Sequence, residues 1–178
     1  YIVRVLDVLE LAADEGEGDV CLVLEHVDGP TLARELAARG PCPVDEAVTL
    51  VLQIAVGLAE AHAHGVVHRD LKPANVLLAT LPNGRRRPRI IDFGVAKARL
   101  AEGDATQTTL TGAGALLGSP AYMAPEQIAD ARHVDARADL WSLGIVLCEA
   151  LTGRLPFEAL TTTGLLARIV GDPPRSPA

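Results

Sequence analysis

Asp70, Lys72 and Asn75 fall within six residues, between the apolar pieces Val66-Val67 and Val76-Leu77-Leu78. A carboxylate, an ammonium and an amide packed so closely between two short β-type pieces narrow the fold more than any other pattern in the chain. Phosphoryl transfer from ATP needs a carboxylate to orient a hydroxyl, a cation for the γ-phosphate, and oxygen ligands for magnesium. Asp70, Lys72 and Asn75 suit those three tasks in that order. A second acidic residue stands in Ile90-Ile91-Asp92-Phe93-Gly94, where a strand ends on Asp92 ahead of a glycine; it suits a further magnesium ligand. Without such company, an Asp-Lys-Asn cluster is more often a plain turn.

The rest of the chain supplies a small β edge and a mostly helical body. Ile2 to Val8 alternates as a half-buried strand does, and Val20 to Glu25 is a second apolar run, so the two predict a hairpin around the acidic turn Asp14 to Asp19. Asp28-Gly29-Pro30 breaks the chain before a short helix, Leu32 to Arg39, that stops at Gly40. Val44 to His64 is the clearest long helix. Its apolar stripe reads Val44, Val48, Val51, Leu52, Ala55, Leu58 and Ala59, with Gly65 as the cap. Short β-type pieces follow at Val66-Val67, Val76 to Leu78 and Arg89 to Ile91. From Ala98 to Ser119 a Gly-, Thr- and Ala-rich stretch without a sustained period predicts a long functional loop. A buried helix from Ala138 to Leu151 stops before Gly153, and an amphipathic segment from Leu160 to Val170 precedes a Pro-rich end.

Composition excludes several classes. A net charge of −7 argues against a nucleic-acid binder, which must neutralise phosphates with a basic face. The basic run Arg85-Arg86-Arg87, with Arg89, follows Pro82-Asn83-Gly84 and reads as a solvated hairpin turn. Cys21, Cys42 and Cys148 are scattered, so they support neither a zinc site nor a disulfide framework and fit a reducing compartment. The most apolar stretch, Leu140 to Leu151, is too short to span a bilayer and contains Glu149. No membrane contact is expected from this segment.

His68-Arg69-Asp70-Leu71-Lys72-Pro73-Ala74-Asn75 followed by Asp92-Phe93-Gly94 resembles the catalytic loop and metal-binding motif of eukaryotic-like protein kinases, in their bacterial style. Gly118-Ser119-Pro120-Ala121-Tyr122-Met123-Ala124-Pro125-Glu126 resembles the end of a kinase activation segment. Asp139-Leu140-Trp141-Ser142-Leu143-Gly144 resembles the start of the central helix of the C-lobe, and Leu22 to Gly29 resembles the fifth strand and hinge. The resemblance covers essentially the whole chain and implies an α+β, protein kinase-like fold. Residues 1–27 would be an N-lobe remnant and hinge, and residues 28–178 a C-lobe incomplete at its C-terminal end.

The same resemblance implies roles. Asp70 would be the catalytic base, Lys72 would steady the transferring phosphoryl group, and Asn75 and Asp92 would hold Mg²⁺ or Mn²⁺. Lys72 after Leu71 marks Ser/Thr kinases. Glu25 and Val27 would meet the adenine of ATP through backbone groups, with Leu24 as gatekeeper and Leu77 beneath the base. Val5, His68 and Phe93 would belong to a regulatory hydrophobic stack. Arg69 would pair with a phosphate on the loop, at Thr109 or Thr111, placed there by autophosphorylation in trans within a kinase dimer. Ser119 would bond Asp70 and Lys72, Glu126 would seek an arginine beyond this chain, and Asp139 would hold the catalytic-loop backbone.

The partners implied are protein substrates carrying Ser or Thr, and the location implied for the domain is cytoplasmic. The resemblance also places the first residue at the family's fourth strand, without a Gly-rich loop, a strand lysine or its glutamate. This segment alone is therefore expected to transfer phosphate poorly. Two rival readings are a pseudokinase or binding scaffold and a small-molecule phosphotransferase. The second lacks a segment like Ala124-Pro125-Glu126, and the first usually loses a catalytic Asp, a metal Asp or a strand lysine. This sequence carries the first two as Asp70 and Asp92 and does not contain the segment of the third.

Overall fold

The computed structural model describes residues 1–11, 19–93, 120–130 and 134–176. Two antiparallel ribbons flank a helical body, an α+β arrangement. Strands β1 (Val5–Leu11) and β2 (Asp19–Leu24) form the first ribbon. Helices α1 (Leu32–Arg39) and α2 (Val44–Ala63) follow, then β3 (Val76–Thr80) and β4 (Arg86–Ile90) as the second ribbon. Helices α3 (Pro125–Ala129), α4 (Arg137–Thr152) and α5 (Thr162–Gly171) complete the body.

The predicted strand Ile2 to Val8 is split. Tyr1 to Val3 pair with the end of β4, through Val3 N–H to Ile90 O and Ile90 N–H to Tyr1 O at 3.0 and 2.8 Å. Only from Val5 does the chain pair with β2, and the register shifts between Val5 and Asp7. The reason is partner choice: Val3 finds a buried place beside Ile90, while Val5, Val8, Val20 and Leu22 remain about half exposed on the ribbon. Val66-Val67, expected as β-type, joins no strand. It is the turn that leaves α2, with Val66 N–H reaching back to Ala61 O at 3.0 Å. The basic run divides as well, since Leu81 to Arg85 closes the hairpin while Arg86 and Arg87 already lie in β4, opposite Thr80 and Ala79.

Helix α1 starts where Thr31 Oγ1 accepts the Arg34 N–H, a side-chain cap, and ends at Gly40 with φ 78°. The buried stripe of α2 differs from the expected one. Ala47, Ile54, Gly57, Leu58 and Ala61 face inward, whereas Val44, Val48, Leu52 and Ala59 are exposed. Both stripes have helical spacing, and periodicity alone could not choose between them because α2 carries apolar residues on more than one face. Gly57 settles the choice: a Cβ there would stand 2.9 Å from Ile90 Cδ1, so the face bearing Gly57 admits β4. Helix α4 is buried on one side only. Asp139, Leu143 and Val146 point inward, and Leu140 with Gly144 lies on the open side.

The main core joins α1, α2, β3, β4 and α4. Leu32 of α1, Ile54 and Leu58 of α2, Val76 and Leu78 of β3, Ile90 of β4, and Leu143 and Val146 of α4 meet around Leu71, which is fully buried. Burying one such leucine is worth about 1.5–3 kcal/mol. Leu71 thereby fastens the polar segment on either side of it to the centre of the protein. Among the described residues no helix is long and apolar enough to cross a membrane.

Candidate active site

The segment around Leu71 is extended, with Lys72 at φ −160° and ψ 163°. In an extended chain residues two apart share a face, so burying Leu71 turns Asp70 and Lys72 together to the other side. Their side chains meet there, Lys72 Nζ to Asp70 Oδ2 at 2.9 Å. A single 3₁₀ turn, Pro73–Asn75, then brings Asn75 back to the same carboxylate. Its Nδ2 donates to the Asp70 carbonyl at 2.9 Å and to Asp70 Oδ2 at 3.3 Å. That orientation leaves Asn75 Oδ1 as the acceptor end of the amide, the kind of oxygen a hard cation takes.

Asp92 joins this group through the backbone. Ile91 N–H donates to Asn75 O at 3.0 Å, and His68 Nε2 lies 2.9 Å from Ile91 O. Asp92 follows directly, exposed, at φ 57°. A left-handed aspartate costs backbone energy and persists only where its surroundings hold it. An amide oxygen and a carboxylate on adjoining segments suit Mg²⁺, which keeps few protein ligands and fills the rest of its shell with water and phosphates. The residues present therefore fit the ion.

His68 is fully buried, and its ring lies 4.7 Å from that of Phe93. Its Nδ1 accepts the Asp70 N–H at 3.2 Å, so Nε2 carries the proton given to Ile91 O. Burial is the main cause that holds this imidazole below its ordinary pKa of 6.5, against the opposing pull of the Ile91 carbonyl and of Asp139, Asp70 and Asp92. Val5, expected in the same stack, is 54% exposed in β1 opposite Leu24.

Asp139 sits in the first turn of α4 with no exposed surface, where the helix N-terminus favours an anion. Its Oδ2 accepts the His68 N–H at 2.8 Å and its Oδ1 accepts the Arg69 N–H at 2.9 Å. His62 Nε2 also lies 2.7 Å from Oδ2, and it must donate, because a carboxylate only accepts. Arg69 itself is left-handed, at φ 63°.

Residues 28–30, expected to follow a hinge, run beside β3. Leu78 N–H reaches Pro30 O at 2.8 Å and Thr80 N–H reaches Asp28 O at 3.0 Å. Gly29 is required between them, since a Cβ would stand 2.0 Å from Leu78 O. Leu77, half-buried, bridges to Thr31, and Val27, also half-buried, directly precedes the stretch that runs beside β3. The Glu25 side chain is committed elsewhere: it accepts the Arg4 N–H and Arg4 Nε, each at 3.0 Å, and pairs with Arg89 of β4. The Arg4 amide, then the two guanidinium groups, hold this carboxyl below its ordinary value.

Three sets of partners have no mark in the sequence. His62 reads there as a helix-end residue, Gln127 carries no role, and Arg4 and Arg89 give no sign of sharing Glu25. Each acts across 21 to 77 residues of chain, so no local pattern reveals it. Glu126 is exposed in α3. Thr109, Thr111 and Ser119 lie outside the described residues.

Acid should loosen the fold in two stages. His68 and Glu25 both have lowered folded values, so their stabilisation is present above the unfolded values and is lost as pH falls through the folded ones. The His68 stage begins below about pH 6.5 and the Glu25 stage below about pH 4.5. Thermal midpoints measured from pH 8 to 4 should fall in both ranges. His68→Gln should remove the first decline and Glu25→Gln the second; a midpoint flat from pH 7 to 5 would disprove the first stage.

The family profile described as protein kinase domain matches residues 1–172. The serine/threonine-protein kinase pkn2 of Myxococcus xanthus is 42% identical over 158 residues, 88% of this chain and 18% of its own length. The serine/threonine-protein kinase PkaA of Streptomyces coelicolor is 42% identical over 177 residues, 99% of this chain and 30% of its own length. The crystal structure of Rad53 1-466 in complex with AMP-PNP superposes with a TM-score of 0.71 at 30% identity, over 95% of this chain and 38% of that one. The chain belongs to the protein kinase domain family. It spans between about a fifth and a third of the length of these two bacterial relatives.

Proposed function

We propose that the parent protein is a Ser/Thr protein kinase that moves the γ-phosphate of ATP to Ser or Thr hydroxyls of protein substrates. The observation that carries this reading is the Asp70 carboxylate, held by Lys72 at 2.9 Å and by Asn75 at 3.3 Å on one oxygen. Asp70 orients the substrate hydroxyl and accepts its proton. Lys72, positioned beside it, meets the negative charge of the phosphoryl group in flight. Asn75 Oδ1 and Asp92 are the residues that would hold Mg²⁺, which supplies charge neutralisation at the phosphates when bound.

Adenine is assigned to the hinge, where Glu25 and Val27 offer backbone groups and Leu77 offers an apolar surface. A structural relative is recorded with the ATP analogue AMP-PNP, which supports a nucleotide for this chain too. In this reading residues 1–27 end a smaller lobe and hinge, and residues 28–178 belong to the larger lobe. Arg69 is the receiver for a phosphate at Thr109 or Thr111, added by a second copy, and the domain works in the cytoplasm.

The test uses the full-length gene product with γ-labelled ATP and Mg²⁺, followed by hydrolysis to the phosphoamino acids. Label should appear on Ser or Thr, fall to background on chelation with excess EDTA, and return with added Mg²⁺ or Mn²⁺. Folded protein that incorporates no label under these conditions would overturn the proposal.

A further inference from the structure

Arg69 is the strained residue directly before Asp70, and both ends of its backbone are held from other parts of the chain. Asp139 of α4 accepts its N–H, and Gln127 Nε2 donates to its carbonyl at 2.9 Å. The other end of the same amide, Gln127 Oε1, accepts the N–H of Ala124 at 3.0 Å. One side chain therefore ties the stretch that enters α3 to the peptide that leads into Asp70. That stretch is itself fixed to α4, through Tyr122 O–H to Glu149 Oε2 at 2.6 Å and Ser142 Oγ–H to Tyr122 O at 2.7 Å.

The carbonyl of Arg69 and the N–H of Asp70 belong to one planar peptide. Gln127 holds the plane at its oxygen and His68 Nδ1 holds it at its N–H, 3.2 Å away. With both edges fixed the plane cannot rotate, and its rotation is what would swing the Asp70 side chain. The bridge needs one group that accepts at one end and donates at the other. A carboxylate only accepts and an ammonium or guanidinium only donates, so a primary amide of glutamine length is the side chain that serves.

We infer that Gln127 is a positioning residue, which sets the Asp70 carboxylate for the substrate hydroxyl as long as the stretch from Pro120 to Ala124 is docked on α4. The inference rests on the phosphoryl-transfer reading of Asp70 and adds to it a residue to which the sequence alone assigns no role.

Gln127→Glu keeps the acceptor for Ala124 and removes the donor for Arg69, while Gln127→Met removes both at similar length. Phosphate transfer by the full-length gene product would be measured well below the unfolding midpoint of each variant and normalised to folded protein. Both variants should lose about tenfold or more in kcat, with KM for ATP within about twofold of the unmutated protein. That split is expected when a reacting group is misplaced while nucleotide binding is unchanged. If only Gln127→Met is impaired, the residue merely caps α3 and the inference fails. It fails too if both variants keep full kcat while the unmutated protein transfers phosphate. An unmutated protein that transfers none overturns the reading of Asp70, and this inference with it.

Discussion

Asp70→Asn should lower kcat for phosphate transfer by about 10²- to 10⁴-fold, the usual contribution of a positioned general base. That loss corresponds to about 3–5 kcal/mol of barrier. Asparagine keeps the size of the side chain and one acceptor oxygen for Lys72, whose Nζ lies 2.9 Å from Asp70 Oδ2. It cannot take up a proton from a hydroxyl, so the ground-state structure is largely kept while the transition state loses its base. KM for ATP should change little, because the proposed nucleotide contacts are Glu25, Val27 and Leu77 and the proposed metal ligands are Asn75 and Asp92. Steady-state kinetics of the full-length protein, with thermal melting as a check on folding, would read both. A variant that keeps a tenth or more of kcat would remove Asp70 from the proposed role.

Asp139→Ala should cost about 3–5 kcal/mol of stability, because two buried N–H donors, those of His68 and Arg69, lose their acceptor together. His62 Nε2, 2.7 Å from the same carboxylate, loses its partner as well. For a domain of this size each kcal/mol lowers the midpoint by about 2–4 °C, so a fall of about 6–20 °C is expected in thermal unfolding. Activity should fall even in protein that stays folded, since Arg69 would be free to leave its left-handed backbone conformation and carry Asp70 with it. Asp139→Asn, which keeps one acceptor but turns a donor toward a donor, should fall between. A midpoint for Asp139→Ala within a degree of the unmutated protein would show that these bonds do not restrain the loop.

What the sequence determined by itself is local. The spacing of Asp70, Lys72 and Asn75 allows one face to carry all three, and burial of Leu71 in the core turns them to it. Capping residues placed the ends of α1 at Arg39 and of α4 before Gly153, and a turn signal at Pro82-Asn83-Gly84 placed the β3–β4 hairpin. Such features depend on neighbours a few residues away, and the chain states them directly.

The tertiary structure decided everything that depends on a partner far along the chain. Which face of α2 is buried turned on Ile90 and Tyr1 reaching Gly57. Whether Tyr1 to Val3 extends β1 or joins β4 turned on the free edge at Ile90, which no periodicity can show. The Arg69 conformation is held by Asp139 and Gln127 from 70 and 58 residues away. A hydrogen bond of that kind has no sequence signature, because it is made by two segments that meet only once the core around Leu71 has closed.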